Sequence, residues 1–379
     1  MKWSLSLGKV SGIQVYIHWT FLILVGWIVF QNVASGQTTD QILWSVAFLF
    51  AIFLCVFLHE LGHALAARRY NIKTRDITML PIGGLARLES IPEDPKQELV
   101  VALAGPAVNL VIASLLWLLV TLDPGSAESF DMMTMDSRSF FYTLMVANLI
   151  LALFNLIPAF PMDGGRVLRA LLSFQMPRPK ATRIAASIGQ FLAIGFVFIG
   201  LFYNPFLLLI GFFIFLGAQA ESNFTQTRSL LQGYSVEDVL MTRYRTLEPD
   251  DKIEKAVDLL LDGQSTAFLV ISDGVVRGSL SRQEMIKALA NYGKNARVGD
   301  VMRTEIRQLS ADEPLEKVYT YFQEHRDALL PVVKQGQLIG VLDKENIHEF
   351  IMVQNAMGNA GNGLPYLSRN NGTSKQTTV

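Results

Sequence analysis

The sequence predicts a multi-pass α-helical membrane protein that ends in a soluble α/β module. Three observations lead to this fold class. The chain of 379 residues is 51% apolar and its mean hydropathy is positive, which is too apolar for an ordinary soluble enzyme. Its first half contains apolar runs that are long enough to cross a bilayer. From Tyr234 the composition becomes charged and alternating, as in a soluble domain.

Charge and cysteine content exclude several classes of protein. The formal net charge is −1, which argues against a nucleic-acid partner because such a partner requires a basic surface. Cys55 is the only cysteine in the sequence, so neither an internal disulfide nor a cysteine-based metal site is expected. No cleavable signal peptide is predicted, since the first apolar run is not followed by a small-residue cleavage site.

Six apolar spans are predicted, after a short hairpin in GKVSGIQVYIHW at the membrane surface. Lysine and arginine cluster after the second and fourth spans, whereas the loops after the first and third spans contain only Arg138. Positive charge marks the cytoplasmic side. We therefore expect an integral protein of the plasma (inner) membrane with both termini in the cytoplasm. The spans are residues 16–30, 44–67, 99–120, 140–157, 184–203 and 206–220.

Three ionisable residues lie near the end of the second span. Ionisable side chains are expensive in hydrocarbon, so His59, Glu60 and His63 indicate a functional site. The two histidines are four positions apart and share one helix face, where they can bind one ion together. Glu60 lies about 100 degrees around the helix and can exchange a proton with a water on that ion. Imidazole suits zinc, and a catalytic zinc keeps three protein ligands and one open position, so a further ligand is required.

Asp163 is the carboxylate best placed to supply that ligand. It follows the fourth span and precedes Arg166, so it approaches the membrane from the cytoplasmic side, as His59 does. Prolines and glycines around it prevent a continuous helix, and irregular backbone at membrane depth is tolerated where it is buried or lines a cavity. The alternative is that Asp163 caps the helix that begins near Arg166.

Three motifs follow one another within residues 16–220. They are His59-Glu60-Leu61-Gly62-His63, Gly105-Pro106-Ala107-Val108-Asn109 and Asn155-Leu156-Ile157-Pro158-Ala159-Phe160-Pro161-Met162-Asp163-Gly164-Gly165. In these motifs the sequence resembles a known family, the site-2 protease group of intramembrane zinc metalloproteases. Members commonly have leucine where this chain has Met162, which is a conservative change. The resemblance implies the site-2 protease fold, zinc bound by His59, His63 and Asp163, and Glu60 as the catalytic acid and base. It also implies that the substrate is a transmembrane helix.

Further residues are candidates for handling the substrate. Asn155 and Asn109 are candidate donors to the oxyanion of the tetrahedral intermediate. The alternative for both is an interhelical hydrogen bond, worth about 1 kcal/mol in membranes. Residues 76–90 are predicted to form a hairpin that turns at Gly83 and Gly84. Its strand edge is suited to hold an extended peptide; alternatively, the hairpin only shields the site.

The sequence of the soluble half contains an internal repeat. When it is aligned with itself at a shift of 62 residues, without gaps, the segment AFLVISDGVVRGSLS matches LLPVVKQGQLIGVLD. The two units, 236–290 and 298–353, resemble cystathionine-β-synthase (CBS) domains, which pair in tandem and often bind adenine nucleotides. The resemblance implies ribose contacts from Ser281 and Glu284; the second unit departs from the pattern with Asp343 and Asn346. We expect one adenine nucleotide site. The alternative is a purely structural module or one that forms a homodimer.

Together these observations predict an intramembrane metalloprotease domain over 1–222, the CBS pair and a disordered tail over 355–379. The expected function is regulated intramembrane proteolysis. A single-span membrane protein would be the substrate, trimmed first by an upstream protease, and the CBS pair would modulate the activity. Two alternatives remain: a transporter or channel gated by its CBS pair, and a catalytically inactive membrane receptor with the same fold.

Overall fold

The computed structural model describes residues 4–81, 83–89, 92–122, 139–263, 266–325 and 327–360. These residues form two compact units, Met1–Thr225 and Gln226–Val379. The first is called the membrane unit here and the second the C-terminal unit.

The described residues of the membrane unit contain six apolar helices and one short amphipathic helix. Four of the apolar helices, α2, α3, α6 and α7, are long and apolar enough to cross a membrane, and α1 and α4 are apolar but shorter. All six predicted spans are therefore helical over most of their length. The bounds are α1 (Thr20–Ala34), α2 (Thr39–Arg68), α3 (Pro95–Leu122), α4 (Ser139–Asn155), the amphipathic α5 (Asp163–Ser173), α6 (Arg178–Phe202) and α7 (Pro205–Leu230).

The first span begins later than predicted. Tyr16–His18 belong to a strand, because this alternating segment pairs with a strand on each side. The last helix is longer than predicted and continues to Leu230. Most of the loop predicted on the outer side, residues 123–138, lies outside the described residues.

A four-stranded sheet packs beside α2, in the order β1 (Ser4–Val10), β2 (Ile13–His18), β3 (Thr74–Leu80), β4 (Gly83–Leu88). The neighbours β1 and β2 are antiparallel, β2 and β3 parallel, and β3 and β4 antiparallel. Both predicted hairpins are present. The predicted position of the second turn was wrong, because Gly83 and Gly84 are residues of β4 paired with Leu80 and Met79. In the strand order, β4 is one of the two outer strands of the sheet.

A buried ion cluster joins four helices of the membrane unit. The Arg169 side chain on α5 is 1% exposed, and its Nε donates to Glu98 Oε1 of α3 at 2.8 Å. The same guanidinium pairs with Glu221 of α7 and lies 5.0 Å over the ring of Phe160. Arg178 of α6 reaches the same Glu98 oxygen at 3.3 Å. Because a buried charge without its partner is strongly unfavourable, the cluster fixes the position of α5 against its neighbours.

The C-terminal unit has the predicted repeat. Each copy contains a three-stranded sheet with one parallel and one antiparallel pairing. Most equivalent elements begin 62 residues apart, as Ala267 and Leu329 do. The first copy consists of β5 (Thr246–Leu247), α8 (Ile253–Asp262), β6 (Ala267–Ser272), β7 (Val275–Ser281) and α9 (Arg282–Tyr292). The second, after the short α10 (Val298–Val301), consists of β8 (Leu309–Ser310), α11 (Leu315–Glu324), β9 (Leu329–Lys334), β10 (Gln337–Asp343) and α12 (Lys344–Ala360).

The two copies exchange their leading segments. Met241, which lies ahead of β5 in the first copy, pairs with Val341 of the second, and Arg303, which lies ahead of β8 in the second copy, pairs with Ser279 of the first. Backbone hydrogen bonds in both directions therefore join the two copies. Residues 355–360, predicted to be disordered, are helical as part of α12. The rest of the predicted tail, residues 361–379, lies outside the described residues.

Candidate metal centre

Three buried side chains of the membrane unit converge on one point. His63 Nε2 lies 3.1 Å from His59 Nε2 and 3.1 Å from Asp163 Oδ2, and His59 Nε2 lies 3.2 Å from the same oxygen. The residues are 5%, 6% and 7% exposed. Four ligands at zinc's usual bond length of about 2.1 Å form a tetrahedron with edges of about 3.4 Å. The triangle of donor atoms is therefore close to one face of a zinc tetrahedron, which leaves the fourth position open.

The space for an ion depends on Gly105 of α3. A Cβ atom at this position would lie 2.2 Å from His63 Nε2 and 2.6 Å from His59 Nε2, too close to both nitrogens to be tolerated. Close packing of the two helices is helped by Gly62, where a Cβ would lie 2.8 Å from Val108 Cγ2. Any side chain at residue 105 would therefore push against the two metal-facing imidazole nitrogens.

Asp163 reaches the histidines because the chain between α4 and α5 folds tightly. A Cβ at Gly164 would lie 2.2 Å from the Ile157 carbonyl oxygen, and one at Gly165 would lie 2.6 Å from the Phe160 nitrogen. Asp163 is the first residue of α5, and Met162 occupies the N-cap position without a side-chain hydrogen bond. The alternative interpretation of Asp163 as a helix cap is therefore wrong, since its carboxylate points at the two imidazoles.

The hydrogen bonds behind the imidazoles suit metal binding. His59 Nδ1–H donates to Asn109 Oδ1 at 2.5 Å, and His63 Nδ1–H donates to the Val101 carbonyl oxygen at 2.7 Å. With its proton on Nδ1, each ring directs the lone pair of Nε2 at the shared point. The residues present thus fit a zinc ion in ligand type, spacing and outer hydrogen bonds.

Glu60 lies beside this site but does not join the cluster of three. Its Oε2 accepts a hydrogen bond from the Ala86 N–H of β4 at 3.1 Å. A Cβ at Gly84 would lie 2.4 Å from Glu60 Cγ and 3.1 Å from Oε1. The start of β4 therefore packs directly on the carboxylate that the sequence marks as acid and base.

The two candidate oxyanion donors differ in their surroundings. Asn109 is fully buried and uses its carboxamide to accept from His59 and to donate to Asn148 Oδ1 at 2.9 Å. This geometry matches the interhelical alternative and gives Asn109 a role in positioning His59. Asn155 is partly buried and donates to the Leu151 carbonyl within α4 at 2.9 Å, so its oxyanion role stays a prediction. Asn148 was not singled out from the sequence, where it is one polar residue in an apolar span.

The candidate nucleotide residues of the C-terminal unit make local contacts. Ser281 caps α9, its hydroxyl donates to Glu284 Oε2 at 2.7 Å, and the Glu284 N–H donates back to that hydroxyl. At the equivalent position of the second copy, Asp343 accepts the Asn346 N–H at 2.8 Å. Burial raises the pKa of Asp343, and the hydrogen bond opposes that shift. The ribose contact of Ser281 and Glu284 stays a prediction.

Comparisons with known proteins extend over nearly the whole chain. The model of peptidase family M50 matches residues 47–128 and 125–196, and the CBS domain model matches 236–291 and 298–353. A zinc metalloprotease of Methanocaldococcus jannaschii is 32% identical over 348 residues, which cover 92% of this chain and 96% of that protein. A protein of Synechocystis, provisionally named a zinc metalloprotease, is 27% identical over 92% of this chain and 95% of its own length.

A solved structure, the site-2 protease from Methanocaldococcus jannaschii, is 37% identical and covers 58% of this chain and 95% of that one, with a TM-score of 0.44. The match to the Methanocaldococcus jannaschii zinc metalloprotease over 92% of this chain, together with the two family models, establishes the class of protein: a membrane metalloprotease with a tandem CBS module. The chain belongs to peptidase family M50. The family implies zinc as the metal, in agreement with the donor set described above.

Gly105→Ala tests the metal site without changing a ligand. The added methyl group would lie 2.2 Å from His63 Nε2 and 2.6 Å from His59 Nε2, so the imidazoles must move. We expect zinc binding to be lost or weakened by at least about tenfold, as when a metal's immediate surroundings are changed. Zinc content of the purified protein, measured by elemental analysis after dialysis, gives the result. Gly195→Ala is the matched control, because a Cβ there meets nothing within 4 Å. Wild-type zinc content in Gly105→Ala would show that the ion binds elsewhere.

Proposed function

We propose that this protein is an intramembrane zinc endopeptidase that cleaves a transmembrane segment of a single-span membrane protein. The observation that carries the proposal is the buried triangle of His59, His63 and Asp163 within an apolar helical unit. Two imidazoles and a carboxylate with nothing to bind would be costly in hydrocarbon. Membership of a metalloprotease family agrees with this chemistry.

Glu60 would perform the proton transfers of hydrolysis. Zinc, when bound, supplies a Lewis acid that makes water nucleophilic near neutral pH. Glu60 accepts the proton of the attacking water and then delivers it to the leaving amine nitrogen. Asn155 uses one carboxamide N–H for Leu151 within the described part of the chain, and its second N–H would donate to the oxyanion.

The β4 strand is proposed to bind the substrate in an extended conformation. A helical peptide has its carbonyls occupied by its own hydrogen bonds, so it must unwind before it is cut. β4 is an outer strand of its sheet, and its Ala86 N–H already points at Glu60. A peptide added to this edge would thus lie beside the acid and base. This position supports the strand-edge interpretation over a purely shielding hairpin.

The orientation of the protein is proposed from its loop charges. Basic residues follow the second and fourth spans, which puts the metal site near the cytoplasmic face of the plasma membrane and the CBS pair in the cytoplasm. Cleavage at that depth would release a cytoplasmic segment, and trimming of the outer part by an upstream protease would admit the substrate. The transporter alternative is disfavoured, since an ion pathway needs polar groups distributed through several spans, whereas the histidines and Asp163 meet at one point.

Glu60→Gln is expected to abolish cleavage while zinc remains bound, because the amide cannot accept the proton and does not ligate the ion. Full-length protein in detergent is incubated with a panel of single-span substrates, with and without a zinc chelator. We expect cleavage by the wild type alone, and loss of at least about 100-fold in Glu60→Gln, the contribution of acid–base catalysis. Cleavage that survives this substitution would refute the mechanism. Stoichiometric zinc without cleavage of any substrate by the wild type would favour the inactive receptor.

Gly84→Ala is expected to slow the chemical step. The new Cβ would overlap Glu60 Cγ at 2.4 Å, so either the carboxylate or β4 must move, and misplacement by about 1 Å costs on the order of 100-fold in rate. We expect kcat to fall by at least about tenfold with unchanged zinc content. The Gly195→Ala variant again controls for the added methyl group. A wild-type kcat in Gly84→Ala would indicate that Glu60 does not act from the position described.

The CBS pair is proposed to modulate the peptidase through an adenine nucleotide. One site per chain is expected, because the first copy has Ser281 and Glu284, whereas the second has Asp343 and Asn346. Calorimetric titration of full-length protein with ATP and AMP should give one nucleotide per chain, with a change in cleavage rate at saturation. Equal cleavage with and without nucleotide, together with no measurable binding, would leave a structural module or a homodimer interface, which sedimentation analysis detects.

A further inference from the structure

A chain of buried hydrogen bonds connects His59 to the backbone of α4. His59 Nδ1–H donates to Asn109 Oδ1 of α3 at 2.5 Å, and Asn109 Nδ2 donates to Asn148 Oδ1 of α4 at 2.9 Å. Asn148 Nδ2 donates in turn to the Leu144 carbonyl oxygen at 2.8 Å. The two asparagine residues are 0% exposed, so water does not compete for these bonds.

The last acceptor in this series of hydrogen bonds, the Leu144 carbonyl, fixes which group donates and which accepts in each bond. A backbone carbonyl oxygen can only accept, so Asn148 must turn its amide nitrogen to Leu144. Its Oδ1 then faces Asn109, and an oxygen can only accept there. Asn109 must therefore present its own nitrogen to Asn148 and its oxygen to His59. The two ends of a carboxamide have nearly the same shape, and Asn109 by itself would fit the pocket in either orientation.

The direction of the chain decides which nitrogen of His59 carries the proton. An oxygen facing Nδ1 requires a proton on Nδ1, and this leaves Nε2 with the lone pair that a metal ion needs. If Asn109 turned over, its N–H groups would face Nδ1 and favour a proton on Nε2, which points at His63 and Asp163. His63 needs no such chain, because its Nδ1–H donates directly to the Val101 carbonyl.

We propose that Asn148 is a positioning residue of the metal site: through Asn109, it holds His59 in the tautomer that binds zinc. This inference rests on the zinc centre proposed above and adds a residue from a helix that contributes no ligand. Asn148 also contacts Cys55 Sγ at 3.3 Å. A thiol is a weak partner, and the Leu144 carbonyl is the contact that fixes the orientation.

Three variants on α4 separate positioning from packing. Asn148→Leu removes the acceptor and frees Asn109 to turn over. Asn148→Asp, as the neutral acid expected at a buried site, offers a carbonyl oxygen that accepts from Asn109 and a hydroxyl that donates to Leu144, so it keeps the direction of the chain. Thr143→Val is the matched control, since Thr143 is equally buried on α4 and its hydroxyl has no hydrogen-bond partner among the described residues.

Zinc affinity of the full-length protein in detergent, measured by competition with a chromophoric chelator, is the main measurement. We expect Asn148→Leu to weaken binding by about 10–100-fold, the range for losing an outer hydrogen bond of a ligand. Asn148→Asp should stay within about tenfold of the wild type, and Thr143→Val should match it. The visible absorption of the cobalt-substituted protein should change in Asn148→Leu only. Thermal unfolding with chelator present identifies any variant that has lost its fold.

The outcomes distinguish this inference from the proposed function. Wild-type protein that binds no zinc would overturn both. Wild-type zinc affinity in a folded Asn148→Leu would overturn the positioning role and leave the peptidase proposal intact. Equal losses in Asn148→Leu and Asn148→Asp would also overturn it, since the direction of the chain would then not matter. A loss in Thr143→Val as large as that in Asn148→Leu would assign the effect to packing of α4.

Discussion

The structure of the membrane unit depends on bringing three metal-binding groups together where water is scarce. His59, His63 and Asp163 are nearly fully buried, with donor atoms close to 3 Å apart. A divalent ion bound here would neutralise the carboxylate and accept the lone pairs of both rings, which would make this arrangement favourable. Each ring must then hold its proton on the other nitrogen, so acceptors are needed behind it. The site therefore requires hydrogen-bonding groups on α3 and α4 that do not themselves contact the ion.

Asp163 is the ligand whose position is hardest to secure, because it comes from a separate short helix. Two glycines allow the preceding loop to approach α5 closely, and the buried Arg169 ties the same helix to Glu98 and Glu221. Breaking such a buried ion pair by removing one partner costs about 3–5 kcal/mol. The ion cluster thus gives α5 one preferred position, and that position brings Asp163 to the histidines.

In the C-terminal unit, glycines likewise permit close backbone contacts, here between the two copies of the repeat. At Gly278 a Cβ would lie 2.5 Å from the Arg303 carbonyl oxygen, and at Gly340 it would lie 2.6 Å from that of Met241. These glycines occupy equivalent places in the repeat and allow each leading segment to cross the strand of the other copy. The pair is consequently held together by backbone contacts as well as by its apolar core.

The sequence by itself determined the fold class and the repeat and indicated two candidate metal ligands, because apolar length, periodicity and the spacing of two histidines on a helix are local properties. It also indicated Asp163, since the topology limited which carboxylates share a side of the membrane. Only the tertiary structure decided that Gly105 lies against both histidines, that Asn109 accepts from His59, and that Asn109 donates to Asn148. Those roles depend on contacts between helices far apart in the chain, and an asparagine in an apolar span looks the same in sequence whether it binds substrate or positions a ligand.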